Sequence, residues 1–330
     1  MSPLPPIILR NLKIDPPLAL APMVGLSHSA LRSLLLELGG VGLFFTEMLS
    51  AKRLPQDNES VSPSLIRSAA EYPLFYQLFL HDRSLVIPAV EKLHRLGAQG
   101  IDINLGCPAP RLRKRGAGCA LTKDPVAVRK IIAAFRNSTD LPLSVKIRLG
   151  ETLDERKYLE LCKIIEGEGA DCISIHARLN HEKFCRKPRW QWIAEAKNSI
   201  AIPIFANGGI FTVEDAENCL NISGADGLMI GRGAAVRPWI FAEISAFLSD
   251  GHCDPVVLRD IYRRFSTLLK LRFSRERRLG RLKQFTHYFA ESYLYGHQLA
   301  CSVQKSTSME QAIEQAERFF EAHEPVSIRC

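Results

Sequence analysis

The sequence has no apolar run approaching the roughly 20 residues that a membrane-spanning helix requires. Its nine cysteines never stand as Cys-x-x-Cys, and the chain is far too long for a disulfide scaffold. The start, MSPLPPIILRNLKI, lacks a charged n-region followed by a sustained apolar core. These absences lead us to expect a cytoplasmic protein in a reducing compartment, with no membrane partner and no metal site. An acidic excess is missing too, because 43 basic against 35 acidic residues leave a net charge of +8.

What is present is length and alternation. A chain of 330 residues suffices for a barrel of about 250 residues with an appendage. Short β-branched runs alternate with amphipathic helical stretches. The runs are LALA ending at Ala21, LFFTE ending at Glu47, LFYQL around Gln77, GIDIN ending at Asn104, LSVKI around Lys146, CISIH ending at His176, IPIFAN ending at Asn207 and GLMIG ending at Gly231. Helical patterns between them include Asp124–Arg136, Asp154–Gly167 and Thr212–Asn221, and Leu49–Tyr72 reads as loop-rich. Asp124-Pro125 is an N-cap followed by proline at the first helical position. Such alternation implies parallel strands with helical crossovers, and eight units favour a closed (β/α)8 TIM barrel. Beyond residue 252 the alternation stops and helical stretches run through Pro255–Phe273, Gly280–Gly296 and Ser308–His323. The expected division is a barrel catalytic domain over 1–248 and a small all-helical domain over 249–330.

Charge is distributed unevenly. Between Arg259 and Lys283 there are ten Lys/Arg and two acids, which equals the excess of the whole chain. A solvated helix face would account for an ordinary charge run, but this concentration points to a polyanion-binding surface.

In such barrels the chemistry sits where strands end. At those positions the sequence places Gln77, Asn104, Lys146, His176, Asn207 and Arg232. Any one of them is explicable by packing; six in register around one rim read as one site. Asn207-Gly208-Gly209 and Gly231-Arg232-Gly233 follow the two strands that commonly carry a barrel phosphate site. A flavin mononucleotide would set its phosphate there, with Lys146 near the electron-rich edge of its ring. Cys107 stands between Gly106 and Pro108, just past the fourth strand, in a loop carrying Arg111, Arg113, Lys114, Arg115 and Lys123. Cys119 shares that loop and is its rival. Cys162, Cys172 and Cys219 fall in helix or strand patterns and read as packing.

These residues resemble the dihydrouridine synthase family, which reduces uridines in tRNA using FMN and NADPH. The likeness is carried by L-A-P-M-V-G at Leu20–Gly25, Y-Q-L-F at Tyr76–Phe79 and D-I-N-L-G-C-P at Asp102–Pro108. It continues through G-A-G-C-A-L at Gly116–Leu121, S-V-K-I-R at Ser144–Arg148, S-I-H-A-R at Ser174–Arg178, F-A-N-G-G-I at Phe205–Ile210 and A-D-G-L-M-I-G-R-G at Ala225–Gly233. The resemblance implies FMN contacts from Ala21, Pro22, Met23, Gln77, Lys146, His176, Asn207, Gly208, Gly209, Gly231 and Arg232. It makes Cys107 the proton donor to uracil, leaves Asn104 and Arg178 to hold the base, and gives the helical domain the RNA. The chain departs from the family's pattern at Cys119, where serine is common, at Gly209, where an acid is common, and at Leu179-Asn180, which replace a threonine-containing turn. A monomer is expected. The alternatives are a related synthase acting on ribosomal RNA, a flavin-barrel dehydrogenase of a small molecule such as dihydroorotate or an enoate, a non-catalytic RNA-binding barrel, and a flavin-free barrel using Lys146 as a Schiff-base nucleophile.

Overall fold

The computed structural model describes residues 4–59, 61–323 and 327–328. Eight parallel strands form the barrel: Leu18–Leu20, Phe44–Phe45, Leu74–Phe79, Gly100–Asn104, Leu143–Arg148, Cys172–His176, Ile204–Asn207 and Gly227–Ile230. They follow one another around the sheet in chain order. The eighth pairs with the first, Met229 opposite Ala19. A bridge between Ala19 and Leu43 joins the first strand to the second and nearly closes the ring. Two of the intervening helices begin as their sequences dictate. Asp124 accepts from the N–H groups of Val126 and Ala127 at 3.0 Å, and Thr212 and Asp215 form a reciprocal capping box.

Side chains alternate along each strand, so one set packs under the helices and the other fills the barrel. The inner set includes Ala19, Phe45, Phe75, Cys172, Phe205 and Met229. The Phe45 and Phe75 rings meet edge to face at 5.6 Å. Gly100 makes room for them, since a Cβ there would lie 2.2 Å from the Phe75 ring. Below this layer an antiparallel hairpin, Ile7–Leu9 with Leu12–Ile14, inserts four buried aliphatic side chains. Among the described residues, the hairpin therefore plugs the barrel at its lower end.

The second strand is shorter than its sequence implies. It stops at Phe45 because the Thr46 hydroxyl, rather than a backbone carbonyl, accepts from the Gln77 N–H at 3.1 Å. Glu47 and Met48 leave the ladder, and Leu49–Ser50 rejoins it against the third strand. The rest of the loop-rich stretch is pinned by a buried ion pair between Arg32 and Glu71 at 2.7 Å. Every charge in it is answered: Arg32 also donates to the carbonyls of Ser27 and Ile66, and Glu71 accepts from Ser29, Ser33 and the Ser68 N–H. Breaking such a pair by removing one partner typically costs about 3–5 kcal/mol.

The C-terminal region holds four longer helices where the sequence implied three stretches: Leu258–Arg272, Arg278–Phe289, Gly296–Lys305 and Met309–His323. The middle stretch divides at Ala290–Ser292 and turns so tightly that a Cβ on Gly296 would strike the Ala290 carbonyl. Phe265 and Phe285 stack at 3.9 Å between the first two helices. Their apolar faces merge with the barrel's helical layer in one continuous core. Polar ties reinforce the junction, among them Arg264 to Glu37 at 2.6 Å, the Ser292 hydroxyl to the Val236 carbonyl at 2.6 Å, and Gln284 to the Val24 carbonyl at 3.1 Å. Among the described residues, no helix is long and apolar enough to cross a membrane.

Candidate active site

A cavity of about 250 Å³ opens at the C-terminal mouth of the barrel. Every residue expected to meet flavin, uracil or the transferred proton lines it: Ala21, Pro22 and Met23 after the first strand, Gln77 on the third, Asn104 and Cys107 from the fourth, and Lys146 on the fifth. His176 and Arg178 come from the sixth, Asn207, Gly208 and Gly209 from the seventh, and Gly231 and Arg232 from the eighth. The barrel topology converts residues from seven separate strand ends into one surface.

The cavity is cationic on one side. Lys146 donates to the Asn207 carboxamide oxygen at 2.8 Å, and Asn207 in turn donates to the Met229 carbonyl at 2.6 Å. Enclosure pushes the Lys146 ammonium down to about 8, against the pull of Asp102. His176 is held well below its ordinary range by burial and by the surrounding Lys146, Arg148, Arg178 and Arg232. It is therefore neutral at physiological pH. Its Nε2 accepts from Arg178 at 2.9 Å, which leaves the ring proton on Nδ1. Arg178 also donates to the carbonyls of Phe184 and Arg186, so it ties the loop after the sixth strand to the histidine.

Gly208 and Gly209 both adopt left-handed backbone, with φ of 110° and 79°. A Cβ on Gly208 would lie 2.5 Å from the His176 ring, so both conformation and space demand glycine there. The Gly208 carbonyl is fixed by the Trp190 indole N–H at 2.9 Å. Among the described residues, no backbone carbonyl accepts from the N–H groups of Gly208, Gly209 or Gly231. The Arg232 guanidinium stands beside them, 4.2 Å from the Phe184 ring and 5.5 Å from the Phe211 ring. Exposed N–H groups and a half-buried guanidinium are what a phosphate monoester needs.

The thiol enters the same cavity from the loop after the fourth strand. Cys107 is half-buried and faces the cavity, whereas Cys119 is fully enclosed, and burial pushes its thiol up. The Cys119 N–H donates to the Cys107 carbonyl at 3.1 Å, so the rival cysteine braces the loop from behind. The Asn104 carboxamide oxygen accepts from the N–H of Cys107 at 2.9 Å and of Gly106 at 3.3 Å, while its nitrogen donates to Gln77 at 2.9 Å.

Arg148, Phe184, Met48 and Phe211 also line the cavity and were not singled out from the sequence. Arg148 was legible, since Ser144, Lys146 and Arg148 share one strand face by alternation. Phe184 gives no such signal. It is a lone aromatic in a polar loop, 51% exposed, and stacks on His176 at 6.0 Å.

The basic C-terminal segment lies alongside. The helix Arg278–Phe289 packs against Arg232–Val236 and, through Gln284, against cavity-lining Val24. Part of the segment's charge is spent internally: Arg259 and Arg263 bind Glu317, and Arg264 binds Glu37. Lys270, Arg275 and Arg277 are exposed, and among the described residues none of them forms an ion pair.

A family model for dihydrouridine synthase matches residues 19–325. The chain is 36% identical over 240 residues to tRNA-dihydrouridine synthase B of Pseudomonas syringae pv. tomato, which covers 73% of this chain and 71% of the relative. It is 32% identical over 324 residues to a probable tRNA-dihydrouridine synthase of Mycobacterium tuberculosis, covering 94% of this chain and 82% of that protein. A probable tRNA-dihydrouridine synthase 1 of Synechocystis is 32% identical over 252 residues, with 74% and 69% covered.

Proposed function

The chain belongs to the dihydrouridine synthase family, and on that premise we propose that it reduces the C5–C6 bond of a uridine in tRNA, with Cys107 as the proton donor. Residues 1–248 serve as the catalytic unit and 249–330 hold the RNA. The observation that carries this reading is the arrangement around one cavity: a half-buried thiol faces a cationic wall and a glycine cradle, beside an exposed basic surface.

The residues fit FMN. Lys146 is an enclosed ammonium whose hydrogen-bond partner is a neutral amide and which Asp102 offsets only in part, so the electron-rich edge of a flavin would supply a closer countercharge. The N–H groups of Gly208, Gly209 and Gly231, with Arg232, suit its phosphate. When bound and reduced by NADPH, the flavin supplies the hydride that uracil C6 requires. Gln77, His176 and the Ala21–Met23 turn would hold its ring.

The protein's own contribution is the proton. The Cys107 S–H bond breaks, C5 takes the proton, and the electron pair stays on sulfur. Lys146 and Arg148 line the same cavity as the thiol. Solvent then restores the thiol. Uracil reaches this depth only when lifted from its stack, and Asn104, Arg148 and the Arg178-tethered loop stand where its edge would lie. Outside the cavity, Lys270, Arg275 and Arg277 meet phosphates. A cytoplasmic location follows from a tRNA substrate.

Cys107→Ala tests the assignment. General acid catalysis contributes about 10²–10⁴-fold, so the variant should bind flavin and have it reduced by NADPH at the wild-type rate in a single reductive half-reaction, while dihydrouridine formation in tRNA falls by that factor. Reduction of tRNA at the wild-type rate would remove Cys107 from the mechanism. Loss of dihydrouridine from tRNA, rather than from ribosomal RNA, in cells lacking the gene identifies the substrate.

A further inference from the structure

Asp102 has no part in the mechanism above, yet it is fully buried two residues before Asn104 on the same face of the fourth strand. No cation lies within ion-pair distance among the described residues. Its two oxygens are held instead by the Gln77 amide nitrogen and the Ser144 hydroxyl, each at 2.5 Å.

The direction of these bonds matters. An ionised carboxylate only accepts. Gln77 must therefore turn its NH₂ towards Asp102, which points its carbonyl oxygen at Asn104. Asn104 answers by donating its own NH₂ to that oxygen, which turns its remaining oxygen towards the loop. There it accepts from the N–H of Gly106 and Cys107. One polarity thus runs from the carboxylate through two amides to the backbone of Cys107. Reversing Gln77 would set donor against donor at Asn104, and reversing Asn104 would aim an NH₂ at two N–H groups.

We propose that ionised Asp102 is a positioning residue for Cys107, fixing the sense of the Gln77–Asn104 relay that anchors the thiol-bearing loop. The inference rests on Cys107 being the proton donor. It carries a pH signature. Burial pushes the Asp102 carboxyl up to about 6, opposed by hydrogen bonds from Ser144 and Gln77 and by Lys146. Proton delivery therefore rises with pH through that region, as the carboxylate forms and the relay takes its working sense.

Flavin-loaded Asp102→Asn should reduce tRNA with kcat lowered roughly 10–100-fold and lose the acid limb near 6. KM for tRNA and the rate of flavin reduction by NADPH, measured as a single half-reaction without tRNA, should stay unchanged. Hydrogen exchange at the Cys107 amide, protected by Asn104, should quicken in flavin-free protein as well. Wild-type kcat with the limb retained would overturn the proposal. Ser144→Ala decides the matter if Asp102→Asn does not fold. Loss of one donor to the carboxylate raises its pKa, so the acid limb should move to higher pH by up to about one unit, and a limb that stays in place overturns the proposal. The amide-exchange result reports on the relay whatever Cys107 does, while Cys107→Ala reports on the proton donor whatever the relay does. The two failures are therefore distinguishable.

Discussion

Lys146 and Asn207, on the fifth and seventh strands, are joined across the cavity floor by a 2.8 Å hydrogen bond from ammonium to amide oxygen. The cation is held in place but not neutralised. It is poised for an anionic ligand at the expense of the fold that carries it.

Lys146→Met should accordingly stabilise the flavin-free protein at pH 7 while weakening flavin retention. The ammonium is held at about 8 when folded against 10.5 as usual, so the charged form is the disfavoured one in the folded state. Its cost is complete below pH 8 and fades as pH rises to 10.5. Allowing for the countercharge that Asp102 would lose, the gain is about 1 kcal/mol at pH 7. Urea melts at pH 7 and pH 10 measure it. No stabilisation at pH 7, or an equal gain at both, would contradict the argument.

His28, which does not line the cavity, offers a second pH test. It is fully buried with both ring nitrogens unpartnered, between Phe265 at 6.1 Å and Phe273 at 5.1 Å. Burial, then Arg281 and Arg32, hold it well below 6.5. The unfolded chain takes up a proton below 6.5 that the folded chain refuses, so stability is present above that value and is lost as pH falls. His28→Phe should flatten this acid limb, its advantage growing by about 1.4 kcal/mol per pH unit below 6.5 until the folded-state value is reached. Parallel stability–pH curves for the two proteins would refute it.

The basic segment separates by function. Arg275→Ala with Arg277→Ala should leave the melting temperature unchanged and lower the slope of log binding constant for tRNA against log salt by about 0.7–0.9 per lost contact. Arg263→Ala, which frees Glu317 from a 2.8 Å bond, should cost up to about 1 kcal/mol of stability with less effect on the slope. Equal slopes for all variants would place the RNA elsewhere.

The strand-end residues were legible in the sequence because barrel topology leaves little choice about where a strand ends. Lys146, His176 and Asn207 meet whatever the loops do. The shortened second strand was not legible, because Thr46 substitutes a side chain for a backbone acceptor and leaves the composition of the run unchanged. Pairings across the fold were equally hidden. Glu317 and Glu37 lie outside the Arg259–Lys283 window, so counting charge inside it overstates what remains for RNA. Asp102 was visible as a letter of the motif around Cys107. Its role depends on the orientation of two amides, which no spacing encodes.

The hairpin beneath the phenylalanine layer makes the barrel a blind well. A channel open at both ends could admit reductant from one side and RNA from the other at the same time. Here, among the described residues, the cavity opens at the C-terminal mouth, away from the plugged end. On the proposed reading, reductant and uridine would use that mouth in turn rather than together.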